Sequence, residues 1–313
     1  MEAARPMIDF AIVGQPKSGT TALAQFLGQH PQICMSFPKE PVFFATDLMQ
    51  ESDTFYGSRK YFEFRTEKDY AALFAHCRPG QLRGDASTPY LLSKVAASNI
   101  RAVNPDVKIV VMLREPVSFM HSLHMEYLNE TIEDEPDFAR ALEKESRRKA
   151  GECIPARVRC PSYLLYRERA RYTHQLTRYY AVFPRENVLV MTMEEFREDN
   201  ERHYRYVLDL LGVDPQPVPS FGVVHASKAP RSRWLNHVLN TPALKRGLFK
   251  ALGVRRYTAL RTGVARLVLR EQARAALSPV LERELRDEFR AEVERVSELV
   301  GRDLRPVWGY PVD

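Results

Sequence analysis

"GQPKSGTT", residues 14–21, decides how the rest of the chain is read. Gly14 and Gly19 have the separation of the glycines in a G-x-x-x-x-G-K-[ST] loop. Thr20, however, stands where that loop carries its lysine. The only lysine of the stretch, Lys17, lies inside the loop. Just upstream, "IDFAIVG" (8–14) is a short apolar run ending on glycine, which suits a buried strand. Downstream, "TTALAQFLGQHP" (20–31) puts Leu23, Phe26 and Leu27 on one helical face, with Pro31 beyond the end. Strand, glycine-containing loop and helix together form the setting in which backbone N–H groups converge on an anion at a helix N-terminus. The donors would be the N–H groups from Ser18 through Gly19 and Thr20 to Thr21, the Lys17 ammonium, and the two threonine hydroxyls. An ordinary strand-to-helix turn with a surface lysine is the competing reading.

Further along, "VKIVVML" (107–113) is a second buried strand, and Pro116 opens a helix running to about Asn129, since proline is favoured in a first helical turn. "NVLVMT" (187–192) is a third strand, preceded by one long helix over 163–183. Apolar runs alternating with helical patterns predict an α/β fold, three layers with a central, mainly parallel sheet flanked by helices. Residues 131–160 are charged and read as an excursion between strand units. "GVDPQPVPSFG" (212–222) is proline-rich and extended, and the chain beyond it is helical and Arg-rich to about Gly301. The chain is expected to form one domain over 1–313, with 223–301 its mainly helical C-terminal part.

The 313 residues are 44% hydrophobic and 27% charged, ordinary for a soluble globular protein. A formal net charge of +6 fits nucleic acid, a membrane surface or a small anion equally. No block of like charge resembles a nucleic-acid tail, so no nucleic-acid partner is expected. The four cysteines, Cys34, Cys77, Cys153 and Cys160, include no C-x-x-C pair and have no paired histidines at zinc-ligand spacing. They read as reduced thiols of a cytoplasmic protein, with a Cys153–Cys160 bridge as the one pairing to consider. No apolar run is long enough to span a bilayer.

Four stretches carry candidate chemistry. "MLREP" ends the second strand on Arg114, where a kinase usually presents a carboxylate for magnesium. Ser122 lies eight residues on, one helical turn after Ser118, so Arg114 and Ser122 make a candidate anion site. "PKEPVFF" (38–44) holds Lys39 and Glu40 in a stiff segment anchored by Phe43 and Phe44, where Glu40 is a candidate general base. "RGDASTPYLL" (83–92) is polar and tight, starts a helix, and either lines a cleft or caps that helix through Ser87 or Thr88. "HASKAPRSRWL" (225–235) puts Lys228, Arg231 and Arg233 in a loop, either a cationic lid or an ordinary solvated loop.

Together these stretches resemble the sulfotransferases that use PAPS, 3′-phosphoadenosine 5′-phosphosulfate. "PKSGTT" is similar to that family's 5′-phosphosulfate loop, and "REPVSFMHS" to its 3′-phosphate site. "KEPVFF", "GDASTPYLL" and "FPRENVLVMTMEEF" are similar to blocks of the carbohydrate branch, typified by heparan sulfate sulfotransferases and their soluble bacterial relatives. Val42 departs from that pattern, since many members carry histidine there. The resemblance implies that PAPS is the donor and PAP the product, with no metal. Lys17, Ser18, Gly19, Thr20, Thr21, Arg114, Ser122, Lys228 and Arg231 would bind the nucleotide. Lys17 would stabilise the leaving group and Glu40 would take the acceptor proton, with His121 and His124 the next candidates for that base. Lys39, Phe43 and Asp85 would face a hydroxyl acceptor on a carbohydrate, glycolipid or small natural product. A P-loop kinase and a non-catalytic nucleotide-binding module are the alternatives. The region 234–301 is open between a flap, a peripheral membrane contact and a helical layer completing the core.

Overall fold

The computed structural model describes residues 7–221, 228–230, 269–271 and 277–312. Its elements in chain order are β1 (Phe10–Gly14), α1 (Thr20–Leu27), β2 (Ile33–Met35), α2 (Thr46–Tyr56), α3 (Glu67–Ala72), β3 (Leu82–Ala86), α4 (Ala96–Val103), β4 (Lys108–Leu113) and α5 (Pro116–Asn129). Next come α6 (Phe138–Glu143), α7 (Glu145–Lys149), α8 (Tyr166–Arg169), α9 (Tyr172–Tyr180), β5 (Val188–Thr192), α10 (Met193–Glu198) and α11 (Asn200–Leu211). The last are β6 (Lys228–Pro230), β7 (Leu269–Glu271), α12 (Pro279–Val300) and α13 (Arg305–Trp308).

Strands β1 to β5 form one parallel sheet in the order β2-β3-β1-β4-β5. Side chains alternate across a strand, and the two apolar cores follow that alternation. Ala11, Val13, Ile109, Val111 and Leu113 face a core completed by Phe119 and Leu123 of α5, Leu176 of α9, and Phe289 and Val293 of α12. Phe10, Ile12, Val110 and Met112 face the other, completed by Leu23, Phe26 and Leu27 of α1 and by Tyr204, Val207 and Leu208 of α11. The three-layer α/β expectation holds, as do the strands at 108–113 and 188–192 and the helix from Pro116 to Asn129. The order of strands reverses at β1, between β3 and β4. In open parallel sheets the crevice outside the strand ends at such a point is where ligands bind.

Several expectations are corrected. The stretch 83–92 opens no α-helix; residues 82–86 are β3, an inner strand between β2 and β1, a single 3-10 turn follows at Thr88–Tyr90, and α4 starts only at Ala96. The helix over 163–183 is broken into α8 and α9. The reason is tertiary: the Arg169 carbonyl accepts from Gln15 Nε2 (3.1 Å) and Gln175 Nε2 (2.9 Å), while the Thr173 N–H goes to Glu292 Oε1 of α12 (2.7 Å). The bond that would continue the helix is therefore replaced at both ends. The charged excursion folds down as α6 and α7 around a fully buried Arg148–Glu133 pair (2.6 Å) that also takes the Tyr166 hydroxyl (2.8 Å).

The cysteines also differ from expectation. Cys34 and Cys77 form a disulfide, their Cα atoms 5.6 Å apart, a separation within disulfide reach. Cys153 and Cys160 are both free, so no bridge joins them. Lys228 lies on β6, which pairs antiparallel with β7, and not in a loop. Arg231 and most of 234–301 fall outside the described residues. No helix among those described is long and apolar enough to cross a membrane.

Candidate active site

The loop after β1 is held open by its backbone. Gly14 must be glycine, because a Cβ there would stand 2.3 Å from Leu91 Cδ2. Lys17 (φ 64°) and Gly19 (φ 86°) both adopt left-handed conformations on either side of Ser18, the alternation that turns successive N–H groups into one concavity. A Cβ at Gly19 would press 3.3 Å from Met112 Cε and Phe196 Cδ1. Helix α1 has no side-chain cap at Gly19, and no bond among the described residues satisfies the N–H groups of Thr20, Thr21 or Ala22. The Ser18 hydroxyl is buried and has no partner. Orphaned donors, a cradle that excludes a side chain, and a positive helix end fit a bound anion.

Arg114, at the end of β4, is buried and donates from Nη1 to the Lys17 carbonyl (3.2 Å), so it braces the loop from the neighbouring strand. Its own carbonyl accepts from Tyr172 Oη (2.9 Å). Ser122 is buried on α5. That helix starts firmly. Glu115 caps it by accepting from the N–H groups of Val117 (3.1 Å) and Ser118 (2.6 Å), and also takes the Tyr310 hydroxyl (2.9 Å).

The Lys39–Glu40 segment faces the loop. Lys39 Nζ donates to Thr21 Oγ1 (3.1 Å) and to Glu40 Oε1 (2.9 Å), tying α1 to the candidate base. Thr88 Oγ1 donates to the same carboxylate oxygen at 3.3 Å. Glu40 (φ 60°) and Val42 (φ 59°) both sit in the left-handed region. For a β-branched residue that conformation is a true outlier, and such strain gathers at working sites. What holds it is Asp85. Its Oδ1 accepts from Ser87 Oγ (2.7 Å), which in turn accepts from the Val42 N–H (3.1 Å). Its Oδ2 accepts from Tyr70 (2.8 Å) and Tyr90 (2.6 Å), and the Phe44 N–H donates to Tyr90 Oη (3.4 Å).

Asp85 is thus a correction to the sequence reading. It is fully buried and lines no cleft, because three hydroxyls occupy it; it positions the Glu40 segment from below. Burial raises its pKa to about 6, against the three hydrogen bonds. Phe43 is half-buried and stacked on Tyr70 (4.5 Å between centroids). His124 is buried with Nε2 2.8 Å from the Glu135 carbonyl and its ring packed near Phe138 and Tyr166, and burial lowers its pKa. Two charged residues near the loop and Glu40, Glu126 and Arg159, were missed in the sequence. Glu126 Oε2 lies 3.3 Å from Lys17 Nζ. Arg159 is exposed and lies within electrostatic reach of Glu130 and Glu40.

Residues 7–233 match the family described as "Sulfotransferase domain". The chain belongs to the sulfotransferase family. Among solved structures, a sulfotransferase from Alicyclobacillus acidocaldarius is 27% identical, with a TM-score of 0.69, over 97% of this chain and 99% of that one. Human heparan sulfate glucosamine 3-O-sulfotransferase 6 is 30% identical over 120 residues, 38% of this chain and 30% of its own length. Mouse heparan sulfate glucosamine 3-O-sulfotransferase 3A1 is 24% identical over 212 residues, 68% of this chain and 47% of its own length. The chain therefore spans less than half of these two curated relatives.

Proposed function

We propose that this sulfotransferase moves the sulfuryl group of PAPS to a hydroxyl of a carbohydrate, glycolipid or small natural-product acceptor. The observation that carries the reading is the Lys39 bridge. It couples an anion-binding loop with orphaned donors to a strained segment bearing a single carboxylate, Glu40. In this reading the 5′-phosphosulfate lies against the N–H groups of residues 18–21 and the Ser18, Thr20 and Thr21 hydroxyls, and Arg114 and Ser122 take the 3′-phosphate. The acceptor oxygen attacks sulfur in line with the bond to the bridging oxygen. As that bond breaks, Lys17 offsets the charge gathering on the departing phosphate, and the acceptor proton passes to Glu40. Holding donor and acceptor in line supplies much of the rate, as in phosphoryl transfer. The curated relatives are named for a glucosamine hydroxyl, which favours a sugar acceptor here. Lys228 and Arg231 remain proposed nucleotide contacts, and Lys39 and Phe43 proposed acceptor contacts.

Labelled PAPS offered with a panel of sugar, glycolipid and phenolic acceptors tests the reaction directly. Two variants test the roles. Glu40→Gln is expected to keep PAP affinity while turnover falls about 10²–10⁴-fold. Lys17→Ala is expected to weaken nucleotide binding and slow the chemical step as well. Near-normal turnover in Glu40→Gln with a good acceptor would remove Glu40 as the base.

A further inference from the structure

Lys17 already has a partner. Its Nζ lies 3.3 Å from Glu126 Oε2, with 28% of the lysine side chain and 33% of the glutamate side chain exposed. Glu126 stands on α5 one helical turn beyond Ser122, so the pair joins the loop to the helix that would carry the 3′-phosphate site. Other charges bear on this carboxyl. Glu130, just past the end of the same helix, and Glu40 both push against its ionised form, Lys17 favours it, and burial is the largest influence, raising its pKa. Arg159 interacts electrostatically with Glu130 and Glu40. Lys17 is therefore what allows Glu126 to stay ionised among two other carboxylates.

We propose that Glu126 is the resting partner of Lys17, and that it gives up the lysine and takes a proton from solvent when the nucleotide's 5′ anion enters the loop. This rests on the function proposed above. Once Lys17 turns to the anion, an ionised Glu126 would face Glu40, Glu130 and the incoming negative charge with no cation of its own. A like charge a few ångströms away favours the neutral carboxyl. No covalent bond changes; one solvent proton is bound for each nucleotide seated. Because the bound state holds the extra proton, nucleotide affinity through this group rises as pH falls, toward about tenfold per pH unit at full coupling. Glu126 acts here through Lys17, as a positioning residue.

Titration calorimetry with PAP, near neutral pH, in two buffers of different protonation enthalpy reads the protons taken up. Wild type is expected to take up more than Glu126→Gln; protons exchanged by the nucleotide's own phosphates are common to both and cancel. Glu126→Gln should also bind PAP about two- to fivefold more tightly, the worth of a partly exposed ion pair that no longer has to be broken. Loss of a merely structural contact would weaken binding instead. Lys17→Met gives a second arm that does not depend on the Gln variant folding. Without the lysine there is no pair for the nucleotide to break, so the uptake tied to this pair should be lost although overall affinity drops. Equal proton uptake in wild type and either variant, or weaker PAP binding by a folded Glu126→Gln, overturns the proposal and leaves sulfuryl transfer standing. No PAP binding by wild type overturns both.

Discussion

A single buried carboxylate, Asp85, carries more of this site than its sequence context suggests. It sits under the Glu40 segment with no exposure and three hydroxyl donors. Its pKa is raised from 3.8 to about 6, chiefly by burial. The folded state therefore holds a proton that the unfolded chain releases between those two values. Stability through this group is greatest below about pH 4 and is lost as pH rises to 6, in total by about 2–3 kcal/mol. Asp85→Asn removes that slope. Measured as thermal midpoints from pH 4 to 7, the difference between wild type and variant is expected to shrink or invert in the variant's favour on the alkaline side. A constant difference across the range would mean that Asp85 does not titrate there. A carboxyl of this kind is invisible in a one-dimensional reading: "RGDASTPYLL" is polar, and polarity read as exposure. Only the folded arrangement, with Tyr70 and Tyr90 brought over it, makes burial affordable.

At the scale of elements, the legible parts were those with a strong local period or a stiff residue. β1 and β4 are unbroken apolar runs, and α5 begins at a proline and is capped by the glutamate before it. β2 and β3 were missed because neither has such a run. β2 is three residues long, and β3 reads LRGDA, with a glycine whose absent side chain makes room for the Phe10 ring. The continuous helix over 163–183 failed because side chains distant in sequence, Gln15 and Glu292, take over its backbone bonds. Within the candidate site, the stretches that hold the loop and Glu40 stood out in the sequence and the structure sets them side by side, whereas the Lys17–Glu126 pair did not, since it joins residues far apart in the chain. The β3 turn also makes a prediction of its own. Ser87 is the link between Asp85 and the strained Val42. Ser87→Ala leaves the buried Val42 N–H unsatisfied, at a cost of about 1–3 kcal/mol. Because the loop does not depend on this link, PAP affinity is expected to hold while turnover drops, and calorimetry beside steady-state kinetics would show the split. A parallel loss of both would place Ser87 in general folding instead.

Across the whole molecule, the crevice lies where the sheet reverses its strand order, and it is propped from two sides. On one side α12 packs on α5 and α9, and Trp308 Nε1 and the Tyr310 hydroxyl reach Glu194 and Glu115 at the root of α5. On the other side the sheet ends in β2, a short edge strand, which the Cys34–Cys77 disulfide joins to the stretch after α3. Five and six residues after Cys34 the same chain carries Lys39 and Glu40, held meanwhile by the Ser36 N–H on the Gly84 carbonyl (2.8 Å) and the Phe37 N–H on the Leu73 carbonyl (3.1 Å). The bridge closes a loop with a sequence separation of 43. A cross-link of that span typically stabilises by about 2–4 kcal/mol, mainly by restricting the unfolded chain. Reduction by a dithiol is therefore expected to lower the thermal midpoint by about 3–6 °C. Cys34→Ser should unfold at the reduced protein's temperature and be indifferent to reductant. Cys153→Ser should behave as wild type, since that thiol is free. Because backbone bonds hold the Ser36–Phe37 stretch independently of the bridge, PAP affinity well below the midpoint is expected to be unchanged by reduction. If wild type met reductant with no change in midpoint, the two thiols would be unpaired in the purified protein, and the edge of the sheet would rest on its hydrogen bonds to β3 alone.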